Sequence, residues 1–447
     1  MDAATDRPAR RGRGIRPPRV AVLSIDAVGH LNPLLAVVSA LSGQPWSAVV
    51  HAYGSPGLGG LYRAAGAGFT PLAFRTPAPG ALPVSGARPS DLAVRSFLAP
   101  QQGLEEVVRK LAEFGPDVLV HDVFDLRGAV AAGALGVPAA TLLPFAGLRA
   151  LGTGFVAEHG TRGPDLEAAN DRLVRDFGVD VLGDAACLPV LFPSRRLSLV
   201  TAVQPQSPPP GAPGTGGLDA LERELGAALH WVGPCVGEVH WGADAGDGLS
   251  PDVVRRRRAD GALTVLFSLG TNITTFRRRA PMGGAPSGAA FFASAVDLLF
   301  SALGDDDRFQ LLVARGGADT PRAWPGNAVV ADVLPQRRLL AGAVDVFVTH
   351  HGYNSTVEAT LHGVPMIAFP GYGDQVANAE FSVARGASVA RWDLRSPVTS
   401  CTPQALRAAV TEAGSPAGPA AVLPGLRREL FAPGGSNRAA ELILALA

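Results

Sequence analysis

Lysine is almost missing from this 447-residue chain: Lys110 is the single one, so arginine carries nearly all of the positive charge. With abundant alanine, glycine and proline, that reads as the codon usage of a GC-rich genome rather than as function. Neither sign of charge is in excess, since 39 basic residues balance 39 acidic ones. There is thus no electrostatic ground for nucleic acid or an anionic membrane as partner. Cysteine is scarce too. Cys187, Cys235 and Cys401 lie far apart with neither paired nor metal-ligand spacing, which argues against a disulfide framework and fits a reducing cytoplasm. No apolar run is long enough to span a bilayer, so no integral membrane association is expected. Residues 1–18 are basic and Pro-rich without the apolar stretch of a signal peptide, and are expected to form a disordered tail.

What is present is length and a repeated pattern. A chain of 447 residues with 47% hydrophobic content exceeds one core and fits two domains of roughly 200 residues each. The apolar run 19–25 leads through a Gly-containing turn into a helical pattern over 31–41. Further strand patterns fall at 47–53, 117–120 and 139–143. A second series follows His230-Trp231-Val232-Gly233-Pro234, with strands expected at 263–268, 309–314, 328–330, 344–348 and 366–369. The Pro/Gly-rich stretch 205–217 forms no regular element and is a surface loop or part of the interdomain connection. The pattern predicts an α/β protein of two doubly wound units. Its expected parts are an N-terminal domain over 19–235, a linker over 236–260, a second domain over 261–425, and a C-terminal helix over 426–447 that packs back on the first domain. Ligands of open α/β sheets sit beyond the carboxyl ends of the strands. Three polar turns stand there: 26–30, 270–275 and 350–355.

The richest turn reads Thr349-His350-His351-Gly352-Tyr353-Asn354-Ser355-Thr356-Val357-Glu358 and opens a helix. Helix N-termini offer unpaired N–H groups and a positive dipole end, a receptor for phosphate oxygens. Neutral donors there suit a dianionic group, while the carboxylates of Glu358 and Asp374 and the amide of Gln375 suit vicinal hydroxyls. Two charged runs carry less. Asp305-Asp306-Asp307 has no His or Cys nearby and reads as a solvated turn rather than a metal site, and 255–258 reads as an exposed helix face. Arg277-Arg278-Arg279 is read first as a solvated loop, with a clamp for an anionic donor or acceptor as the alternative.

The order Pro335-Gln336, then Thr349-His350-x-Gly352-x-Asn354-Ser355-x-x-Glu358, Gly363-Val364-Pro365, and Asp374-Gln375 with Asn378, closely resembles the donor signature of family 1 nucleotide-sugar glycosyltransferases, within which it looks most like the bacterial antibiotic and macrolide enzymes. The resemblance implies the GT-B architecture, two Rossmann-like domains facing a cleft. It also implies a uridine or thymidine diphosphate sugar as donor, a small hydrophobic natural-product acceptor, and no bound metal or other cofactor. By resemblance His350 contacts the diphosphate, Gly352 lets the backbone approach it, and Asn354 and Ser355 bond phosphate oxygens, with Tyr353 in the same donor turn. Glu358 faces the ribose, Asp374 and Gln375 the sugar, and Gly270-Thr271 the β-phosphate, with Gln336 among the donor-binding residues. Two positions depart from the family. Val333 stands where many relatives have a Trp against the base, and His351 stands where they have a small residue, either as an added phosphate contact or pointing away.

Gly29-His30-Leu31-Asn32-Pro33 resembles the family's Gly-His-x-x-Pro turn, whose histidine is the general base of an inverting transfer. A helix start favours the neutral imidazole that a base must be. Its orienting carboxylate is Asp122 by resemblance, with Asp26 as competitor and an N-cap as the plain alternative for Asp122. Phe97, Phe124, Phe145 and Phe155 are the candidates for lining an acceptor pocket, as is Phe192, each equally at home in a core. Two other readings are a catalytically silent auxiliary protein of the same fold and a nucleotide-sugar epimerase. The presence of His30, Asp122 and His350 speaks against the first, and the Gly-His turn against the second.

Overall fold

A computed structural model describes residues 16–72, 90–183, 188–241, 249–258, 261–318 and 323–447; residues 1–15 of the basic tail and Cys187 lie outside them. Among the described residues the strands form two wholly parallel sheets. The first holds β1 (Arg19–Leu23), β2 (Val49–Gly54), β3 (Gly68–Pro71), β4 (Val118–Asp122), β5 (Ala139–Leu143), β6 (Leu197–Val200) and β7 (Leu229–Trp231), in the order 3-2-1-4-5-6-7. The second holds β8 (Leu263–Ser268), β9 (Phe309–Ala314), β10 (Ala328–Ala331), β11 (Val346–Thr349), β12 (Met366–Ala368) and β13 (Ser388–Val389), in the order 10-9-8-11-12-13. Strand order therefore reverses at β1/β4 in one sheet and at β8/β11 in the other. Each reversal opens a crevice at the strands' carboxyl ends.

Alternating residues explain why these runs are strands buried on both faces. In β1, Val20 and Val22 join one apolar cluster while Ala21 and Leu23 join another. In β8, Val265 and Phe267 pack on one side and Leu266 on the other, and in β11 Val346 and Val348 oppose Phe347. Strands β3, β6, β7 and β13 were not expected from sequence. β13 has two residues, β3 begins with Gly and ends with Pro, and β7 is three residues just ahead of the expected linker.

Two boundaries move. The proposed linker contains a helix, Pro251–Arg257, whose N-terminus is capped by Ser250 Oγ accepting from the Val253 N–H at 3.3 Å. Val254 on that helix enters the core of the second domain beside Leu339 and Leu340, while Arg255, Arg256 and Arg257 face outward. The C-terminal segment is two helices. Leu423–Phe431 packs Leu423, Leu426 and Leu430 on the second sheet, and Gly435–Leu444 returns to the first domain with Ala439, Ala440 and Ile443 among Leu31, Leu34 and Leu41. The turn between them needs glycine at 435. Its φ is +57°, and a Cβ there would stand 2.4 Å from the Pro234 carbonyl oxygen.

One helix of the second domain also belongs to the first. Tyr353 and Val357, on Tyr353–His362, are buried in the first domain's apolar cluster with Phe124 and Phe145, and the Tyr353 hydroxyl donates to the Thr201 carbonyl. Among the described residues no helix is long and apolar enough to cross a membrane. Because Ile443 is fully buried against the first domain, Ile443→Ala should lower the unfolding free energy by about 2–5 kcal/mol, read by urea denaturation.

Candidate active site

The first crevice is made by neighbouring strands. β1 ends in a turn that starts the helix Val28–Ser42, which puts His30 on its first turn, and β4 pairs with β1 and ends on Asp122. His30 Nδ1 lies 2.7 Å from Asp122 Oδ2. The carboxylate accepts there, so Nδ1 carries the proton and Nε2 is the basic nitrogen of the neutral ring. Asp122 is buried, and its Oδ1 accepts from the Phe124 N–H at 2.9 Å, so both oxygens are fixed. The Phe124 ring meets the imidazole edge-on at 5.1 Å. Neither alternative for this pair is seen. Asp26 accepts from Ser55 Oγ, and the N-cap of the following helix is Asp125, whose Oδ1 accepts from the Arg127 N–H at 3.1 Å.

The second crevice is the turn between β11 and the helix Tyr353–His362. His350 is buried with its Nε2 edge between two glycines. A Cβ on Gly270 would come within 2.5 Å of that ring and one on Gly352 within 2.3 Å. Gly270 has φ +69°, so it meets both a conformational and a steric need. Burial, and then the neighbouring His351, push the His350 pKa down to about 4. At neutral pH it is an uncharged hydrogen-bonding group. Gln336 Nε2 donates to Glu358 Oε2 at 2.8 Å and to Ser355 Oγ at 3.2 Å, which gathers three expected donor residues into one cluster. Burial holds the Glu358 carboxyl above the ordinary carboxylate range.

The residues expected to meet the sugar stand at the start of the helix Asp374–Ala384. Gln375 is buried and its Oε1 accepts from the N–H groups of Gly371 and Tyr372, at 2.9 and 3.1 Å, which leaves its amide nitrogen for the cleft. Asn378 Nδ2 donates to Asp374 Oδ2 and to the His351 carbonyl, both at 3.0 Å, and so ties this helix to the turn expected to hold phosphate. Desolvation pushes the Asp374 pKa up to about 6, against the opposing pull of Asn378 and of the His30 ring across the cleft. Both half-sites open into one cavity of about 920 Å³, lined by His30, Thr271, Val333, His350, Asn354 and Asp374 among others. Asn354 Nδ2 donates to the Gly29 carbonyl at 3.1 Å and draws the two turns together, which leaves one amide hydrogen on that nitrogen for any phosphate.

Several expected site residues stand elsewhere. His351 is fully buried and does not line the cavity. Its φ of +55° turns the ring away from the phosphate side, and Nδ1 lies 3.2 Å from the Thr349 carbonyl. Tyr353 borders the cavity, but its hydroxyl is spent on Thr201. Phe97 is core, fully buried 6.2 Å from the Phe192 ring, and neither lines the cavity, whereas Phe124, Phe145 and Phe155 do. Val333 lines it at 53% exposure. Arg277 is neither solvated nor free. It pairs with Glu158, while Arg278 Nη1 donates to the Gly317 carbonyl at 3.1 Å. Sequence reasoning missed Phe276, His159, Tyr372 and Trp241, which also border the cavity. They come from elements without a recognisable spacing, and only the folded arrangement brings them to one place.

A crevice at a helix N-terminus on one doubly wound domain, facing a His–Asp pair on another, is the arrangement of a GT-B glycosyltransferase. The comparisons make this particular. The model of the family "UDP-glucoronosyl and UDP-glucosyl transferase" matches residues 296–412. The oleandomycin glycosyltransferase of Streptomyces antibioticus is 28% identical over 441 residues, covering 96% of this chain and 90% of that one. A shorter stretch of 57 residues is 53% identical to the DIMBOA UDP-glucosyltransferase BX8 of Zea mays and covers 12% of each protein. Among solved structures, the glycotransferase of kitacinnamycin superposes with a TM-score of 0.69 at 29% identity, over 96% of this chain and 99% of that one. The chain is thus a glycosyltransferase that moves a sugar from a nucleotide donor, similar over nearly its whole length to bacterial antibiotic glycosyltransferases.

The buried histidines fix how stability depends on pH. His350 and His351 have folded pKa values near 4 against 6.5 for free imidazole, so the unfolded chain binds more protons between those values. Their stabilising contribution is complete above pH 6.5 and is lost as pH falls towards 4. Asp374, raised to about 6, works in the opposite sense below pH 6. In His351→Asn, which tolerates the left-handed backbone, the loss of stability between pH 7 and pH 4.5 should shrink by about 1 kcal/mol or more in urea titrations.

Proposed function

We propose that the protein is an inverting glycosyltransferase that uses His30 as general base and a uridine diphosphate sugar as donor, and glycosylates a hydroxyl of a small lipophilic natural product. The observation that carries this reading is the 2.7 Å contact between His30 Nδ1 and Asp122 Oδ2, set in the same cavity as the phosphate turn. His30 Nε2 takes the proton of the acceptor hydroxyl, and the acceptor oxygen attacks the anomeric carbon. The bond from that carbon to the β-phosphate oxygen breaks with its electron pair leaving on the diphosphate, and one displacement inverts the centre. Asp122 steadies the imidazolium, as a carboxylate does in other triads. The leaving charge falls to the N–H groups at the start of the helix Tyr353–His362, with Ser355, the remaining amide hydrogen of Asn354 and neutral His350, so this reading needs no metal.

Two features favour uridine over thymidine. Glu358, held by Gln336, offers an acceptor suited to paired ribose hydroxyls, and thymidine lacks the 2′-hydroxyl. The short, well-matched stretch is shared with a relative named as a UDP-glucosyltransferase. For the acceptor, the support is the apolar wall of Phe124, Phe145 and Phe155 beside His30, with ring centres 6.2 Å apart from Phe124 to each of the others.

The test is incubation with uridine and thymidine diphosphate sugars, with and without lipophilic aglycones, followed by product mass and anomeric configuration. Acceptor-dependent transfer should fall about 10²- to 10⁴-fold in His30→Ala. Failure of every donor–acceptor pair, or full activity in His30→Ala, overturns the reading. Glu358→Ala should raise KM for the uridine donor by roughly tenfold and affect a thymidine donor less, in initial-rate measurements.

A further inference from the structure

The charged loop after β8 finds its partner across the cleft. Glu158 and His159 end the helix Gly152–His159 of the first domain, whereas Arg277 and Tyr372 belong to the second. Arg277 grips Glu158 with both arms of its guanidinium, Nη1 to Oε1 at 2.9 Å and Nη2 to Oε2 at 3.0 Å. The same guanidinium lies 3.5 Å over the Tyr372 ring. The Tyr372 hydroxyl lies 3.2 Å from His159 Nε2, and His159 Nδ1 lies 2.8 Å from Ser90 Oγ. Beside them Arg95 of the first domain sits 5.8 Å over the ring of Phe276 of the second.

Three facts give this bridge a role in the reaction rather than in stability alone. All its members except Ser90 line the cavity that holds His30 and Asp374, so it forms part of the wall around the reacting atoms. The backbone of Tyr372 is held by Gln375 Oε1, so the bridge and the expected sugar-reading residues are one loop. A planar guanidinium pinned at once by a carboxylate and a ring is a directional contact that a loose cleft would not keep.

We infer that Glu158 and Arg277 are positioning residues, a cross-cleft pair that closes the acceptor cavity around the sugar and keeps transfer ahead of hydrolysis. The inference rests on the glycosyl-transfer reading above. With the pair broken, water reaches the anomeric carbon. Its oxygen bonds to that carbon, its proton passes to His30 or to bulk water, and the bond to the diphosphate breaks with the electron pair on the nucleotide. The products are free sugar and nucleoside diphosphate.

The experiment compares nucleotide release without acceptor and glycoside formation with acceptor for the wild type, Glu158→Gln, Arg277→Gln and the double variant. Each single change should raise the ratio of hydrolysis to transfer by roughly threefold to tenfold and raise acceptor KM, while nucleotide diphosphate binding, measured by titration, is unchanged. The double variant should be no worse than either single one, because each already removes the pair. Arg277→Lys keeps the charge without the fork and should fall between. Unchanged ratios in an active enzyme, or additive effects in the double variant, overturn the inference. A wild type that transfers to nothing overturns the glycosyl-transfer reading instead, and unchanged nucleotide binding separates a loosened cleft from a misfolded chain.

Discussion

Everything at the active site depends on one docking contact, the burial of Tyr353 and Val357 in the apolar core of the opposite domain. The helix that begins at Tyr353 carries the expected phosphate turn at its N-terminus. Once its first two turns are seated beside Phe124 and Phe145, the spacing between that turn and His30 is no longer free. The Asn354-to-Gly29 hydrogen bond adds direction to a contact whose energy is mostly apolar. This explains why an aromatic residue stands in the middle of a polar motif. Tyr353 reaches past the donor site into its neighbour, and its hydroxyl finds the Thr201 carbonyl there.

Within that frame the groups expected at the donor turn are neutral or amide-held. His350 is kept neutral by burial, and the Glu358 carboxyl is held by an amide rather than by an arginine. Of the arginines that line the cavity, Arg127 pairs with Asp125 and Arg277 with Glu158, while Arg95 and Arg337 donate to the carbonyls of Asp91 and Gly237. Oriented dipoles need little rearrangement when charge develops on a leaving group, which is the advantage of donors fixed in place over a mobile countercharge.

The sheet strands that are long and apolar on both faces were legible in the sequence, because burial on both sides leaves little other option for β1, β8 or β11. The turns at their ends were legible, from strand direction and motif order, as the places where a cavity opens. What escaped had a common physical cause. β3 and β13 are short edge strands stabilised by a neighbour rather than by their own pattern. Phe97 and Phe155 have the same side chain and both lie at the first domain's apolar cluster, yet only Phe155 faces the cavity, a distinction made by packing alone. His351 could not be assigned because its direction follows from a backbone φ of +55° that histidine adopts uncommonly. The Glu158–Arg277 pair joins residues 119 positions apart, and no local rule connects them.

The returning helix Gly435–Leu444 has a consequence for how the protein is made. Leu31 and Leu34 emerge from the ribosome early, but part of the apolar surface that covers them, at Ala439, Ala440 and Ile443, is synthesised after the whole second sheet. The first domain therefore waits, incompletely covered, while the whole second domain is translated and folds. Until that helix is made, the groove along the helix Val28–Ser42 lacks part of its apolar cover.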